Sequence, residues 1–242
     1  MPLYRDEAIV LRTQKLGEAD RIITLLTRGN GRVRAVAKGV RRTSSRFGSR
    51  LEPFTYVDLQ LAEGRSLDVV TQAETLAPYG ATIGSDYERY TAGTVMLETA
   101  ERLVVMDKEP ALQQFLLLVG ALRTMCSGER NASQVLDSFL LRSLSVAGYA
   151  PSFEVCARCG LEGPHRAFSP AAGGMLCGAC RVPGSANPAP ETVLLLGALL
   201  AGDWPVVEAS EPWHRKEATG LIAAYLAWHM ERGLKSLSHV ER

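Results

Sequence analysis

Four of the five cysteines fall in two C-x-x-C pairs, "CARC" at 156–159 and "CGAC" at 177–180. Residues 160–176 separate them, a spacing within the window for a four-cysteine zinc site. Two thiolates on each tight knuckle reach one ion, and a tetrahedral ion then closes the intervening loop. Gly160, Gly173, Gly174 and Gly178 suit such turns. Cys156, Cys159, Cys177 and Cys180 are therefore expected to hold one structural Zn2+. Four thiolates leave no open position for a reacting water. Four unrelated reduced thiols are the plain alternative. A redox-active C-x-x-C normally sits in a βαβ context, which this region lacks. His165 lies in the loop and could compete as a ligand. The one H-x-E, at His239–Glu241, follows the cysteines, the wrong order for a zinc deaminase. Cys126 stands alone and reads as a small buried hydrophobe.

The second chemical feature is a run of cations. Residues 21–50 contain no Asp or Glu, and Asp20 and Glu52 bracket them. The net charge is only +1, so any polyanion binding must come from a local patch. Arginine forks match phosphate oxygens. Arg32, Arg34, Lys38, Arg41, Arg42, Arg46 and Arg50 are the candidate nucleic-acid-binding residues, with a solvated basic loop that meets no partner as the plain alternative. Arg32 and Arg34 alternate outward on a strand, and the Gly/Ser-rich 39–49 segment reads as a mobile loop beside it. Aromatic residues that could stack on bases are scarce. Phe47 is the one obvious candidate, while Tyr4, Phe54 and Tyr56 compete as core. Phosphate charge should then outweigh base readout.

Catalytic signatures do not accompany these features. G-x-x-x-x-G-K-[ST], G-x-S-x-G, H-E-x-x-H and G-x-G-x-x-G are all missing. Glu18 and Asp20 sit between strands, without histidine or metal spacing, as turn residues. The expectation is a protein that is not an enzyme and acts through binding energy alone.

The elements that must position these groups follow from periodicity. "EAIVLRT", "RIITLLT", "RVRAVAK", "TYVDLQLAEG" and "SLDVVTQAE" read as five short strands, with Asn30-Gly31 as a hairpin turn between the second and third. Five strands in this span suit a small closed or nearly closed barrel. After Pro78–Gly84 the period becomes helical. Ser85 and Glu88 suggest a capping box, Pro110 the first turn of a second helix, and Asn131 with Gln134 the start of a third. Pro190-Glu191 opens another helix, and the last is expected from about Trp213 to Arg232, ending at Gly233. The "VPGSANPAP" linker (182–190) marks the return from an insert. The expected scheme is α+β. A barrel domain covers 1–80, a helical domain 81–152 and 185–242, and a zinc-binding insert 153–184.

With 242 residues and 46% apolar composition, the chain has the character of an ordinary globular protein. Its first residues mix charges into the apolar run, so no signal peptide is expected. Its longest apolar runs are too short to span a bilayer. A cytoplasmic location, without disulfides, is expected.

This order of parts resembles the bacterial RecO family of recombination mediators. The resemblance lies in Gly17-Glu18-x-Asp20, Gly31 and Lys38-Gly39-x-Arg41-Arg42. It continues through "LEPF" (51–54), the cysteine block with "FSPAAGGMLCGAC", and "YLAWHMERGLKSL" (225–237). It implies an N-terminal OB-fold, a helical domain and an inserted zinc element. It also implies binding of single- and double-stranded DNA, annealing of complementary strands without ATP, and help in loading RecA onto strands coated by single-strand binding protein. RecR, single-strand binding protein and the RecA pathway are the implied partners, at the nucleoid, in DNA repair and recombination after damage. The tail "SLSHVER" is less basic than the resemblance leads one to expect. A zinc-containing RNA-binding or transcription accessory module is the alternative, since barrels with zinc knuckles occur there too. A metal-dependent enzyme is a third class, against which the four-cysteine set argues.

Overall fold

The computed structural model describes residues 1–230, 234 and 236–240. The chain divides into two compact units, Met1–Arg130 and Asn131–Arg242.

The first unit is built on strands β1 (Leu3–Leu16), β2 (Asp20–Thr27), β3 (Gly31–Ala37), β4 (Thr55–Ala62) and β5 (Asp68–Pro78). They close into a barrel in the order β1-β2-β3-β5-β4, the five-stranded OB-fold arrangement. β1 is twice as long as its apolar run suggests because it serves two neighbours. Its first half pairs with β4 and its second with β2, and a bulge between Val10 and Arg12 lets it bend between them. β3 and β5 meet in parallel through only two residue pairs, Ala35 with Asp68 and Val36 with Val69.

Strict alternation fills the interior. Val33, Ala35 and Ala37 point inward from β3, and Val57, Leu59 and Leu61 from β4. Asn30-Gly31 turns the β2–β3 hairpin, with Gly31 at φ +59. Asp6 accepts hydrogen bonds from the backbone N–H groups of Gly29 and Asn30 and from the Asn30 amide, and so fixes the turn.

Three helices complete this unit: α1 (Tyr79–Ile83), α2 (Tyr87–Leu103) and α3 (Leu112–Ser127). The cap of α2 is Asp86, whose carboxylate accepts from Arg89 N–H, one residue later than the expected Ser85 box. Ser85 instead donates to the Thr82 carbonyl. Pro110 lies just outside α3 rather than in its first turn. α3 stops at Gly128, as expected, with that residue left-handed.

The second unit holds α4 (Ala132–Val146), a hairpin of β6 (Ala167–Ser169) and β7 (Gly174–Leu176), then α5 (Pro190–Ala201), α6 (Trp204–Ala209) and α7 (Pro212–His229). Asn131 caps α4 by accepting from the N–H groups of Ser133 and Gln134. α5, α4 and α7 share an apolar core that includes Phe139, Leu140, Leu195, Leu199, Ile222 and Leu226. Buried polar groups tie the helices together. Ser138 donates to the Leu199 carbonyl and Thr219 to Asp137, while Thr192 joins His214 and Glu217. The residues expected to close the last helix, Arg232 and Gly233, lie outside the described residues, as do Lys235 and Glu241. Among the described residues, no helix is long and apolar enough to cross a membrane.

Candidate nucleic-acid face and metal centre

The seven candidate cations share one side of the sequence but not one environment. Period-2 alternation turns Arg32 and Arg34 away from the barrel interior, as expected. Arg34 is exposed, whereas Arg32 is half-buried. The segment after α2 returns past the start of β3. Gly31 allows this close approach, since a Cβ there would lie 1.8 Å from the Glu109 carbonyl oxygen. Lys108 N–H donates to the Arg32 carbonyl at 2.9 Å. The Arg32 guanidinium donates to Asp107 at 2.6 Å, to the Val105 carbonyl at 2.7 Å and to the Glu101 carbonyl at 3.1 Å. All its nitrogens are engaged, so the geometry gives Arg32 a tethering role. Its sequence position gave no warning, because the partners lie on another element.

The 38–50 segment is anchored rather than mobile. Asp20 accepts from Gly39 N–H at 2.7 Å, and Arg41 N–H donates to the Ala19 carbonyl at 2.9 Å. Val40, Phe47 and Leu51 sit in the barrel core. Phe47 is only 3% exposed, so it packs into the core and presents no ring for base stacking. Arg46 lies over the outer face of that ring, 5.1 Å from its centre.

This anchoring displays the remaining cations. Arg34, Lys38, Arg41, Arg42, Arg46 and Arg50 are all exposed. Arg41 donates to the Gly17 and Glu18 carbonyls, and Arg50 to the Arg46 carbonyl. These contacts orient the guanidinium groups without neutralising them. None of the six forms an ion pair among the described residues. By contrast, Arg21 pairs with Glu52, Arg28 with Glu7 and Arg32 with Asp107. Six exposed cations of this stretch therefore carry charge that no carboxylate pairs with among the described residues, although Arg50 shares a surface pocket with Arg5, Asp58 and Glu74.

A buried carboxylate secures the barrel seam beside β3, and sequence reasoning missed it. Asp68 is 1% exposed. It accepts from the Tyr4 hydroxyl at 2.5 Å, Gly64 N–H at 2.9 Å and the Lys108 ammonium at 3.0 Å. Burial pushes its pKa up, but these donors outweigh burial and hold it below the ordinary value. Burial and the carboxylate together push the Tyr4 hydroxyl up. An Asp at the start of an apolar strand was the only hint in the sequence.

The four cysteines of the second unit converge as their spacing requires. Their sulfurs all lie within 4.8 Å of one another. Cys159 Sγ and Cys177 Sγ are 3.7 Å apart. Tetrahedral coordination at metal–sulfur bonds of about 2.3 Å sets an S···S edge of about 3.8 Å, which the Cys159–Cys177 pair matches. Both knuckles are closed by backbone bonds, Gly160 N–H to the Cys156 carbonyl and Cys180 N–H to that of Cys177. Cys177 N–H, helped by those of Cys159 and Arg158, points at the Cys156 sulfur and holds its thiol down to about 6 against burial. Hydrogen bonding to Cys159 and Cys177, then burial, pushes Cys180 up to about 12. Four thiols packed this closely cannot all ionise without a cation among them. An all-sulfur donor set suits a soft or borderline metal. His165 is not part of the cluster; its Nε2 pairs with the Leu161 carbonyl at 2.8 Å. Phe168 of β6 packs between Phe153 and Tyr225 of α7, which seats the element on its helices.

Comparison with known proteins covers nearly the whole chain. Family models described as "Recombination protein O N terminal" and "Recombination protein O C terminal" match residues 1–79 and 84–238. A protein of a Nocardioides species named "DNA repair protein RecO" is 74% identical, over 99% of this chain and 100% of the relative. Proteins of the same name from Streptomyces griseus and Thermobifida fusca are each 62% identical over the full length of both chains.

Proposed function

This chain belongs to the RecO family of DNA repair proteins, and we propose that it is a recombination mediator that works without catalysis. In this proposal it binds single- and double-stranded DNA, anneals complementary strands without ATP, and helps RecA load onto strands coated by single-strand binding protein. RecR and single-strand binding protein are its proposed partners, in the cytoplasm at the nucleoid.

The observation that carries the proposal is that Arg34, Lys38, Arg41, Arg42, Arg46 and Arg50, all within one carboxylate-free stretch of an OB-type barrel, are exposed and form no ion pair among the described residues. Two complementary strands repel each other through their phosphates. A surface holding both lowers that repulsion and raises their local concentration. With Phe47 buried, this face offers little aromatic surface to trap bases, so they stay free to pair. Pairing then supplies the driving force. Arg32 positions β3 rather than touching phosphate.

Cys156, Cys159, Cys177 and Cys180 are proposed to hold one Zn2+. When bound, that ion neutralises the thiolates and cross-links the two knuckles. The residues around it order the 153–184 insert and keep the β6–β7 hairpin seated on α7. The barrel (1–80) is proposed to carry DNA binding, and the helical parts (81–152 and 185–242) to support partner contacts.

The proposal is tested by RecA loading. Circular single strands are coated with single-strand binding protein, and RecA-dependent ATP hydrolysis is followed with this chain and RecR present. A shortened lag is expected, and an unchanged lag would contradict mediation. Stronger binding to RNA than to DNA would instead favour an RNA-binding module.

A further inference from the structure

The four cysteine residues are unequal in their exposure to solvent, and that inequality has a chemical consequence. Cys156 and Cys177 are buried at 1% and 7% exposure, Cys180 is half-buried, and Cys159 is exposed. The first knuckle presents Cys159 between exposed Arg158 and exposed Gly160. Thiolate character and access together decide which sulfur an oxidant meets first. Cys159 has access. The Cys177 sulfur lies 3.7 Å from it, within reach as a resolving partner.

We propose that the cysteine element is a peroxide-sensitive metal clasp, with Cys159 the sulfur attacked and Cys177 the sulfur that resolves it. This rests on the metal reading given above. The Cys159 thiolate attacks hydrogen peroxide, the O–O bond breaks, and a sulfenic acid forms with loss of hydroxide. The Cys177 thiolate then attacks the sulfenic sulfur. The S–O bond breaks, a second hydroxide leaves, and the S–S bond forms. Two protons convert the hydroxides to two waters. Peroxide takes up two electrons and the thiolate pair gives them. The sulfurs close from 3.7 Å to about 2.05 Å.

Cys156 and Cys180 then remain as the only two thiolate ligands, too few for a structural four-coordinate site. The metal leaves, while the disulfide still joins the first knuckle to the residue that follows β7. Because the cross-link persists, the insert keeps its chain path, and reduction with added zinc restores the clasp. The fifth cysteine, Cys126, lies on α3 outside the cluster and takes no part.

The test uses the full chain with its metal content measured first. Hydrogen peroxide is added in steps, freed metal is followed with a chromogenic chelator, and disulfides are mapped by mass spectrometry without reduction. A Cys126→Ser chain run in parallel assigns the thiol changes to the cluster. The expected result is one equivalent of metal released per disulfide, a first disulfide joining Cys159 to Cys177, and full recovery with a reductant and zinc. Metal retained, with all four thiols intact, at a peroxide excess that oxidises glutathione would overturn the clasp. So would a first disulfide that leaves Cys159 reduced. A chain that purifies without metal, and takes up none, would overturn the metal reading as well.

Discussion

Salt dependence distinguishes the six displayed cations from the one that is tethered. Each phosphate neutralised on a single strand contributes about 0.7 to the slope of log K against log salt. Six free cations, each on one phosphate, give a slope of about −4. Affinity for a short labelled oligothymidine should then fall about 300-fold between about 50 and 200 mM salt. Arg34, Lys38 and Arg42 form no ion pair among the described residues, so changing all three to Gln removes charge without breaking a contact. The slope should shrink by about 2, and the same salt change should cost only about 20-fold. Arg32→Gln should leave the slope where it was, because Asp107 already neutralises that charge. Fluorescence anisotropy across a salt series measures both variants. An unchanged slope in the triple variant would refute the assignment of the face, as would an equal loss of slope in Arg32→Gln.

Further outcomes follow from the same geometry. Arg32→Gln should instead lower stability by about 2 kcal/mol, the scale of a charge-assisted hydrogen bond left unmade, as read by chemical denaturation. Reversing Arg41, Arg42 and Arg46 to Glu should abolish most DNA binding while circular dichroism stays native. A lost fold would show that these residues are structural. Removing the metal, or changing Cys156 and Cys177 to Ser, should lower the melting temperature of the second unit. Unchanged melting after verified metal loss would count against a structural site. Burial holds His229 below its ordinary value of 6.5. The unfolded chain therefore binds that proton more tightly. His229's contribution is complete above about 6.5 and is lost as pH falls through the depressed folded value. Thermal melting from about pH 7.5 to 5.5 should show the decline, and His229→Phe should flatten it.

The barrel was legible because its strands are half-buried, and burial on one face writes period 2 into the sequence. "RVRAVA" and "TYVDLQLA" alternate in the structure as they do on the page. The cysteine spacing was legible because a tetrahedral ion restricts the turns that can reach it. The 38–50 segment was misread because Val40 and Phe47 enter the core from an aperiodic turn, where glycines and serines signal a free loop. Arg32 could be placed outward by alternation, but its partner Asp107 lies 75 positions away, beyond any local pattern. α6 escaped notice because six residues are too few to show a helical period. The Asp68–Lys108 contact escaped for the same reason as Arg32: it joins a strand to an inter-helix turn.

The most direct test of the central claim is strand annealing. Complementary single strands are each coated with the cognate single-strand binding protein, this chain is added without nucleotide, and duplex formation is followed by fluorescence. The account predicts rapid annealing that is lost when Arg41, Arg42 and Arg46 are reversed to Glu. Naked strands bound normally, with no acceleration of annealing on coated ones, would contradict it.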